Sequence, residues 1–145
     1  MKDYPIGSVF KQITEDYVSF ECAKLLKEKG FDCGCISYYE HFSSNVTLYG
    51  GMVQEWSDSF ENHNSREDRF SRPTLQLAMK WLRDDKSIFT ESRLCIGDMT
   101  DKGLYQFEVF EKTDIDEYTH RGFVYGQSYE EACEAAILYA LKNLI

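Results

Sequence analysis

The sequence has no run of 18 or more consecutive apolar residues, and this absence excludes a helix that crosses a membrane. Residues 1–17 also lack the apolar stretch of a secretory signal peptide, so we expect a cytoplasmic protein. No repeat, linker or low-complexity tract divides the 145 residues. The length is that of one domain, and we therefore expect residues 1–145 to fold as a single unit.

Recognisable catalytic motifs are absent as well. The chain contains no P-loop, no G-x-G-x-x-G, no G-x-S-x-G and no H-E-x-x-H sequence. Its three histidines, His41, His63 and His120, are not paired at helical spacing. These absences favour a protein that is not an enzyme and that needs no cofactor.

Positive charge is scarce. Lys and Arg number 16 against 25 Asp and Glu, which gives a net charge of −9. Such a field repels phosphate backbones and anionic membrane surfaces, so we predict neither direct nucleic-acid binding nor membrane binding. It suits a partner protein with a basic surface.

The cysteines do not form a disulfide or zinc pattern. There are five of them, an odd number, and no secretory signal accompanies them, which favours reduced thiols. Cys33 and Cys35 form the only close pair, but a C-x-C pair lacks the spacing of zinc knuckles. A metal site formed by Cys33, Cys35 and His41 remains as the alternative to a simple turn followed by a strand.

Apolar periodicity and turn residues predict an α+β fold in the order α-β-β-(β)-α-β-β-β-α. Each helix has a predicted start: Thr14 for a helix that runs to Lys29, Thr74 for one that runs to about Asp84, and a Ser128–Glu131 capping box for the last. The predicted strands are Cys35–Phe42, Val46–Tyr49, a short one at Met52–Trp56, Ile88–Gly97, Leu104–Lys112 and Tyr118–Tyr125.

Strands that are grouped between helices favour one antiparallel sheet of about five strands, with the three helices mainly on one face. In the Leu104–Lys112 strand, alternation predicts Tyr105, Phe107 and Val109 on the covered face and Phe110 on the solvent face. The polar run at residues 57–71 predicts a mobile loop.

Three stretches together resemble a known group. They are FECAKLLKEKGFDCGCISYYE (Phe20–Glu40), SRPTLQLAMKWLRDD (Ser71–Asp85) and YGQSYEEACEAAILYALKNLI (Tyr125–Ile145). The combination resembles small uncharacterised proteins that phages and prophages of Bacteroides-type gut bacteria carry. The shared motifs are helix caps, a helix stop and core anchors, so no functional residue carries over. The resemblance implies an accessory protein of a mobile element that acts inside a bacterium.

The 10 Tyr, 10 Phe and 2 Trp exceed what one small core needs, so we expect several aromatic side chains at the surface. Tyr and Trp among acidic groups are typical of protein interfaces. We therefore predict a non-enzymatic module that binds a basic host protein through an acidic, aromatic-edged surface. Its candidate residues are Glu55, Trp56, Asp58, Phe60, Glu111, Asp114, Asp116 and Glu117.

One alternative is a protein that binds a small molecule or a nucleotide, with or without weak hydrolytic activity, in a pocket between the sheet and the polar loop. An exposed sheet edge also leaves a homodimer open.

Overall fold

The computed structural model describes residues 14–42, 45–49, 60–96 and 103–145, which form three α-helices, six β-strands and one turn of 3-10 helix. The helices are α1 (Phe20–Glu28), α2 (Leu75–Lys86) and α3 (Tyr129–Asn143). The strands are β1 (Tyr38–Phe42), β2 (Asn45–Tyr49), β3 (Arg69–Ser71), β4 (Ile88–Leu94), β5 (Tyr105–Asp114) and β6 (Glu117–Gly126). The 3-10 turn is His63–Ser65. The predicted α+β class is confirmed.

The strands form two antiparallel sheets, and the prediction of one sheet with about five strands is wrong in this respect. The first sheet has the order β2-β1-β3, and the second has the order β4-β5-β6. Strand β3 lies within the run that the sequence predicts as a polar loop, and it occupies the free side of β1. Helix α2 then leads the chain from β3 to β4, which pairs with β5 instead of with the first sheet.

Helix α1 begins later than its periodicity predicts. Its N-cap is Ser19, whose hydroxyl accepts a hydrogen bond from the Cys22 N–H at 3.3 Å, and not Thr14. The residues before it are extended, because the Val18 N–H donates to the Pro73 carbonyl and Tyr17 pairs with Thr74. The bonds of this segment to the start of α2 therefore replace the first predicted turn of the helix.

The predicted caps of the other two helices are confirmed. The Thr74 hydroxyl accepts from the Leu77 N–H at 3.1 Å, and the Ser128 hydroxyl accepts from the Glu131 N–H at 3.1 Å. The Glu131 carboxylate reaches back to the N–H of Gln127, one residue before the N-cap position that the capping box predicts.

One apolar core joins the three helices to the second sheet. Helix α3 supplies its most densely buried side, with six residues that have no exposed surface: Ala132, Cys133, Ala136, Ile137, Ala140 and Leu141. Phe107 and Val109 of β5 are buried in the same core, as the alternation predicts. No helix among the described residues is both long and apolar enough to pass through a bilayer.

Part of the predicted polar loop has defined structure. Glu61 pairs with Cys35, the 3-10 turn follows, and the side chain of His63 within that turn is buried. Residues 57–59 and the strand predicted at Met52–Trp56 lie outside the described residues. The mobility of the loop stays a prediction.

Candidate functional site

The two faces of the second sheet differ in what covers them. On the inner face, Phe107 and Val109 lie in the core with α3. Close packing on this side depends on glycine, because a Cβ atom at Gly122 would lie 2.8 Å from the Tyr139 ring. The side chains that alternate with Phe107 and Val109 along β5 point to the opposite, outer face.

The outer face carries a row of aromatic side chains from all three strands. The register pairs Phe89 with Phe110 and Phe110 with His120, which places these three on one face. Tyr118 contacts Phe89 edge to face, with 5.3 Å between ring centroids, and Phe123 lies 4.3 Å from His120. We call Phe89, Phe110, Tyr118, His120 and Phe123 the aromatic face.

A β-bulge in β6 arranges this surface. Val109 pairs with Gly122 and Phe110 pairs with His120, so Arg121 is the extra residue between them. The bulge places His120 and Phe123 side by side on the outer face. They are three positions apart in the sequence, and in a regular strand that spacing would place them on opposite faces. It also lets the Arg121 guanidinium donate to the Glu111 carboxylate, with N–O distances of 2.8 Å.

Much of the aromatic face is open to solvent. Tyr118 is 54% exposed and Phe123 is 48% exposed. His120 is exposed too, whereas Phe89 and Phe110 are half-buried by their neighbours. Large aromatic side chains that remain exposed on one sheet face indicate an interaction surface.

The hairpin that joins β5 to β6 carries three unpaired carboxylates. Asp114, Asp116 and Glu117 surround a two-residue turn, and within the described residues none of them has a cationic side chain within 4.0 Å. The Asp114 carboxylate accepts a hydrogen bond from the Ile115 N–H at 2.7 Å, and the side chain of Ile115 is 80% exposed. We call residues 114–117 the acidic tip.

Charges elsewhere on the outer face are nearly balanced. Arg93 lies 3.4 Å from the Glu108 carboxylate, and Lys112 lies 5.9 Å from the centre of the Tyr118 ring. Glu91 is exposed opposite Glu108 in the register. The surplus negative charge is therefore concentrated at the acidic tip.

The structure brings some of the predicted site residues together. Asp114, Asp116 and Glu117 share the acidic tip, while Glu111 forms an ion pair with Arg121. Phe60 is not brought to the acidic tip. It is 71% exposed and lies over Gly34 near the start of α2, whereas β5 donates a backbone hydrogen bond to Ser87 at the other end of that helix. Glu55, Trp56 and Asp58 lie outside the described residues.

The alternative metal site is not formed. Cys35 is buried and its thiol faces the Cys33 carbonyl, while His41 packs against Phe20 at 5.7 Å between ring centroids. Across the described ranges, no three His, Cys, Asp or Glu side chains are grouped so that they could hold a metal ion.

Three buried thiols, those of Cys22, Cys35 and Cys133, are not activated nucleophiles. Burial raises the pKa of Cys35 and of Cys133 to about 12, and it raises the pKa of Cys22 well above its ordinary value. A thiol nucleophile needs a lowered pKa, so these three cysteines are packed as protonated thiols.

Sequence reasoning missed Phe89, Tyr118, His120 and Phe123 of the aromatic face, and it missed a cavity of about 130 Å³ between the start of β1, Phe60 and the start of α2. Arg72, Ser37, Thr74 and Tyr17 line it together with apolar side chains. The local sequence gives one weak signal, an arginine directly before the buried Pro73. The residues that surround Arg72 come from distant parts of the chain, and no motif links them.

Comparison with known proteins gives no match for this chain among family models, curated proteins or solved structures.

Proposed function

We propose that this protein is a protein-binding module that captures a basic segment of a partner protein on the aromatic face and the acidic tip. One observation carries the proposal. Exposed aromatic side chains on one sheet face lie beside three carboxylates that have no cationic partner within the described residues.

The two parts of this surface have different roles. Aromatic side chains supply much of the binding energy at protein interfaces, because they bury a large area at a small cost in side-chain entropy. The carboxylates of the acidic tip raise the rate of encounter with a positive surface and select against acidic partners. The net charge of −9 extends the same preference over longer distances.

The chemistry of the surface favours arginine and lysine as the residues that it binds. Cationic side chains stack on aromatic rings, and Lys112 of the chain itself already lies over Tyr118. An arginine of the partner would stack on the exposed ring of Phe123, while a neighbouring basic residue of the partner would pair with the acidic tip. We therefore propose a segment rich in Arg and Lys as the occupant.

The resemblance to phage and prophage accessory proteins suggests the setting. A protein of that kind acts inside a bacterium, and we propose a host protein in the cytoplasm as the partner. The proposed role involves binding to a protein and not to a nucleic acid or a membrane.

The dimensions of the cavity argue against the alternative of nucleotide binding. Sites for small molecules and cofactors usually enclose about 300–1,000 Å³. The cavity near Arg72 measures about 130 Å³, which is too small for a nucleotide.

Affinity capture tests the proposal. The immobilised protein is incubated with nuclease-treated lysate of a Bacteroides-type host, and the bound proteins are identified at low and at moderate salt. In one variant, Asp114→Asn, Asp116→Asn and Glu117→Gln neutralise the acidic tip. Exposed pairs contribute about 0.5 kcal/mol each, and the three together about 1.5 kcal/mol, so we expect roughly tenfold weaker binding of one dominant basic protein and an unchanged melting temperature.

A matched control carries the same change in total charge. It combines Glu28→Gln, Asp32→Asn and Glu67→Gln, three exposed positions away from the second sheet. Equal loss of the partner from both variants would show that total charge alone drives binding. Full retention by the acidic-tip variant would exclude this surface as the binding site.

A further inference from the structure

The cavity near Arg72 has a mostly apolar wall and one cation. Its lining residues come from four places in the chain: Tyr17 before α1, residues 34–37 before β1, Phe60, and residues 72–77 at the start of α2. Phe60 forms the outer wall, where its ring lies so close to Gly34 that a Cβ atom there would be 2.7 Å from it. A small molecule in this cavity would contact apolar carbon on most sides.

Arg72 is held in a fixed position beside this wall. Its Nη1 donates to the Ser37 hydroxyl at 3.2 Å, and its guanidinium lies 4.2 Å from the centre of the Tyr17 ring and 5.7 Å from that of Tyr39. The Ser37 hydroxyl donates in turn to the Tyr49 carbonyl at 3.1 Å, so the Ser37 hydroxyl hydrogen is not free to bond to a ligand in the cavity. Ser37 therefore orients Arg72 and leaves it as the cavity's cationic donor.

The charge of Arg72 is not neutralised within the described part of the chain. Four other arginines each lie within 4.0 Å of a carboxylate: Arg69, Arg83, Arg93 and Arg121. Arg66 is exposed at the surface, whereas Arg72 is half-buried and its Nε–H has no acceptor among the described residues. A partly buried arginine without a carboxylate is unexpected in a chain with nine more acidic than basic groups.

We propose that the cavity binds a small monocarboxylate, whose carboxylate pairs with the Arg72 guanidinium and whose short apolar tail lies against Phe60 and Leu77. The guanidinium fork matches the two oxygens of a carboxylate. A phosphate group would favour further cationic donors for its third oxygen, and Arg72 is the one cationic side chain among the described residues of the lining. The volume limits the tail to a few carbon atoms.

The site is a binding site without covalent chemistry. Cys35 lines the cavity, but burial raises the pKa of its thiol to about 12, so it stays protonated. This proposal does not depend on the aromatic face, and either can fail without the other.

Nuclear magnetic resonance of the ¹⁵N-labelled full chain tests the proposal directly. The Nε–H resonance of Arg72 is followed while propionate is added, with propionamide and inorganic phosphate as matched probes. We expect a saturating shift with propionate at concentrations on the order of 10 mM, and none with propionamide. No saturating shift with propionate, or an equal shift with phosphate, would overturn the assignment of a carboxylate site.

Variants locate the site and guard against unfolding. We expect Arg72→Gln to weaken propionate binding at least tenfold, measured on the amides of residues 34–37, whereas Arg66→Gln leaves it unchanged. Phe60→Ala removes only an exposed ring and should weaken propionate several-fold in a folded protein. Unchanged binding in a folded Arg72→Gln variant would contradict the proposal.

The carboxylate could belong to a free metabolite or to the end of a peptide chain. Short peptides with a free or an amidated C-terminus separate these sources. Tighter binding of the free-acid peptide than of propionate would identify a chain end as the ligand, and weaker binding would identify the small acid. If the amidated peptide bound as well as the free acid, the role of Arg72 as a carboxylate site would be wrong.

Discussion

The two sheets have the same number of strands and the same antiparallel pairing, but different contacts hold them in place. The second sheet packs against α3 through small and apolar residues. Gly126 touches Ala132 so closely that a Cβ atom would lie 2.4 Å from the Ala132 backbone nitrogen. Its stability therefore depends on close apolar packing, which pH and salt change little.

The first sheet is held by polar groups and by cations over aromatic rings. Lys27 of α1 donates to three backbone carbonyls of the segment that forms β3, and its Nζ lies 4.6 Å from the centre of the Phe70 ring. Arg69 lies over the Tyr38 ring at 4.4 Å, and the His63 ring stacks on the Tyr38 ring with 4.3 Å between centroids. Each of these contacts depends on a charged or titratable side chain.

This difference predicts that different kinds of substitution destabilise the two sheets. Changes of volume should damage the second sheet most, because its backbone approaches α3 closely. Changes of charge or protonation should damage the first sheet most, because charged and polar side chains add many of its contacts to the apolar packing of Phe20 with Tyr39 and Phe70. Three measurements test this comparison.

The largest effect is expected for Gly126→Ala. The added methyl group must displace backbone of α3, so we expect a loss of about 3 kcal/mol or more in the free energy of unfolding, measured by chemical denaturation. Gly34→Ala is the matched control, because its methyl group would meet only the exposed ring of Phe60, which can turn away. Its expected cost is below about 1 kcal/mol. Equal losses of unfolding free energy in the two variants would show that the second sheet is no more closely packed than the region near Phe60.

Local signals in the sequence predicted the parts of the fold that local interactions determine. Thr74 and Ser128 cap their helices as expected, because a cap needs only the next three residues. Strand β3 was not predicted, since Arg69, Phe70 and Ser71 are too few and too polar to give a strand pattern. The division into two sheets depends on which strands pair, and that information is not local.

The candidate sites follow the same rule. Alternation placed Phe110 on the solvent face of β5, and the carboxylates of the acidic tip were visible as a cluster in one turn. The contact of His120 with Phe123 depends on a bulge that breaks alternation. Arg72 gave only the weak signal of an arginine before Pro73, because its lack of a carboxylate partner among the described residues emerges only when distant segments come together.

The second prediction removes one cation from the first sheet. Lys27→Met keeps the apolar stem and deletes the three hydrogen bonds to the carbonyls of Arg66, Glu67 and Arg69. Water can replace part of these bonds, so we expect a loss of about 1–2 kcal/mol in the free energy of unfolding. Amide hydrogen exchange should also accelerate in residues 69–71 and remain unchanged in β5.

Lys24→Met is the matched control for this change. Lys24 lies on the same helix, is exposed, and sits 5.8 Å from the centre of the Phe20 ring. We expect its cost to stay below about 0.5 kcal/mol. An equal cost for both lysines would mean that the carbonyl contacts do not hold the first sheet.

The third and smallest effect concerns the protonation of His63. Its Nε2 lies 2.9 Å from the Cys35 carbonyl, which can only accept, so the neutral ring carries its hydrogen on Nε2. The other nitrogen, Nδ1, faces the Glu61 carboxylate at 3.3 Å, and the same carboxylate oxygen lies 3.5 Å from Arg69. Burial lowers the pKa of His63 below its ordinary value of 6.5, although the Cys35 carbonyl and Glu61 oppose this shift.

The sign of the pH dependence follows from that direction. Below pH 6.5 the unfolded chain takes up a proton that the folded chain refuses, so stability is lost as pH falls, by at most about 1.4 kcal/mol per pH unit. We expect the difference in unfolding free energy between the wild type and His63→Gln to shrink as pH falls from 7.5 to 5.5. A difference that grows instead would show that His63 is charged in the folded chain and forms an ion pair with Glu61. In that case the first sheet would gain stability from acid, and its polar contacts would respond to pH in the opposite direction from the one that burial predicts.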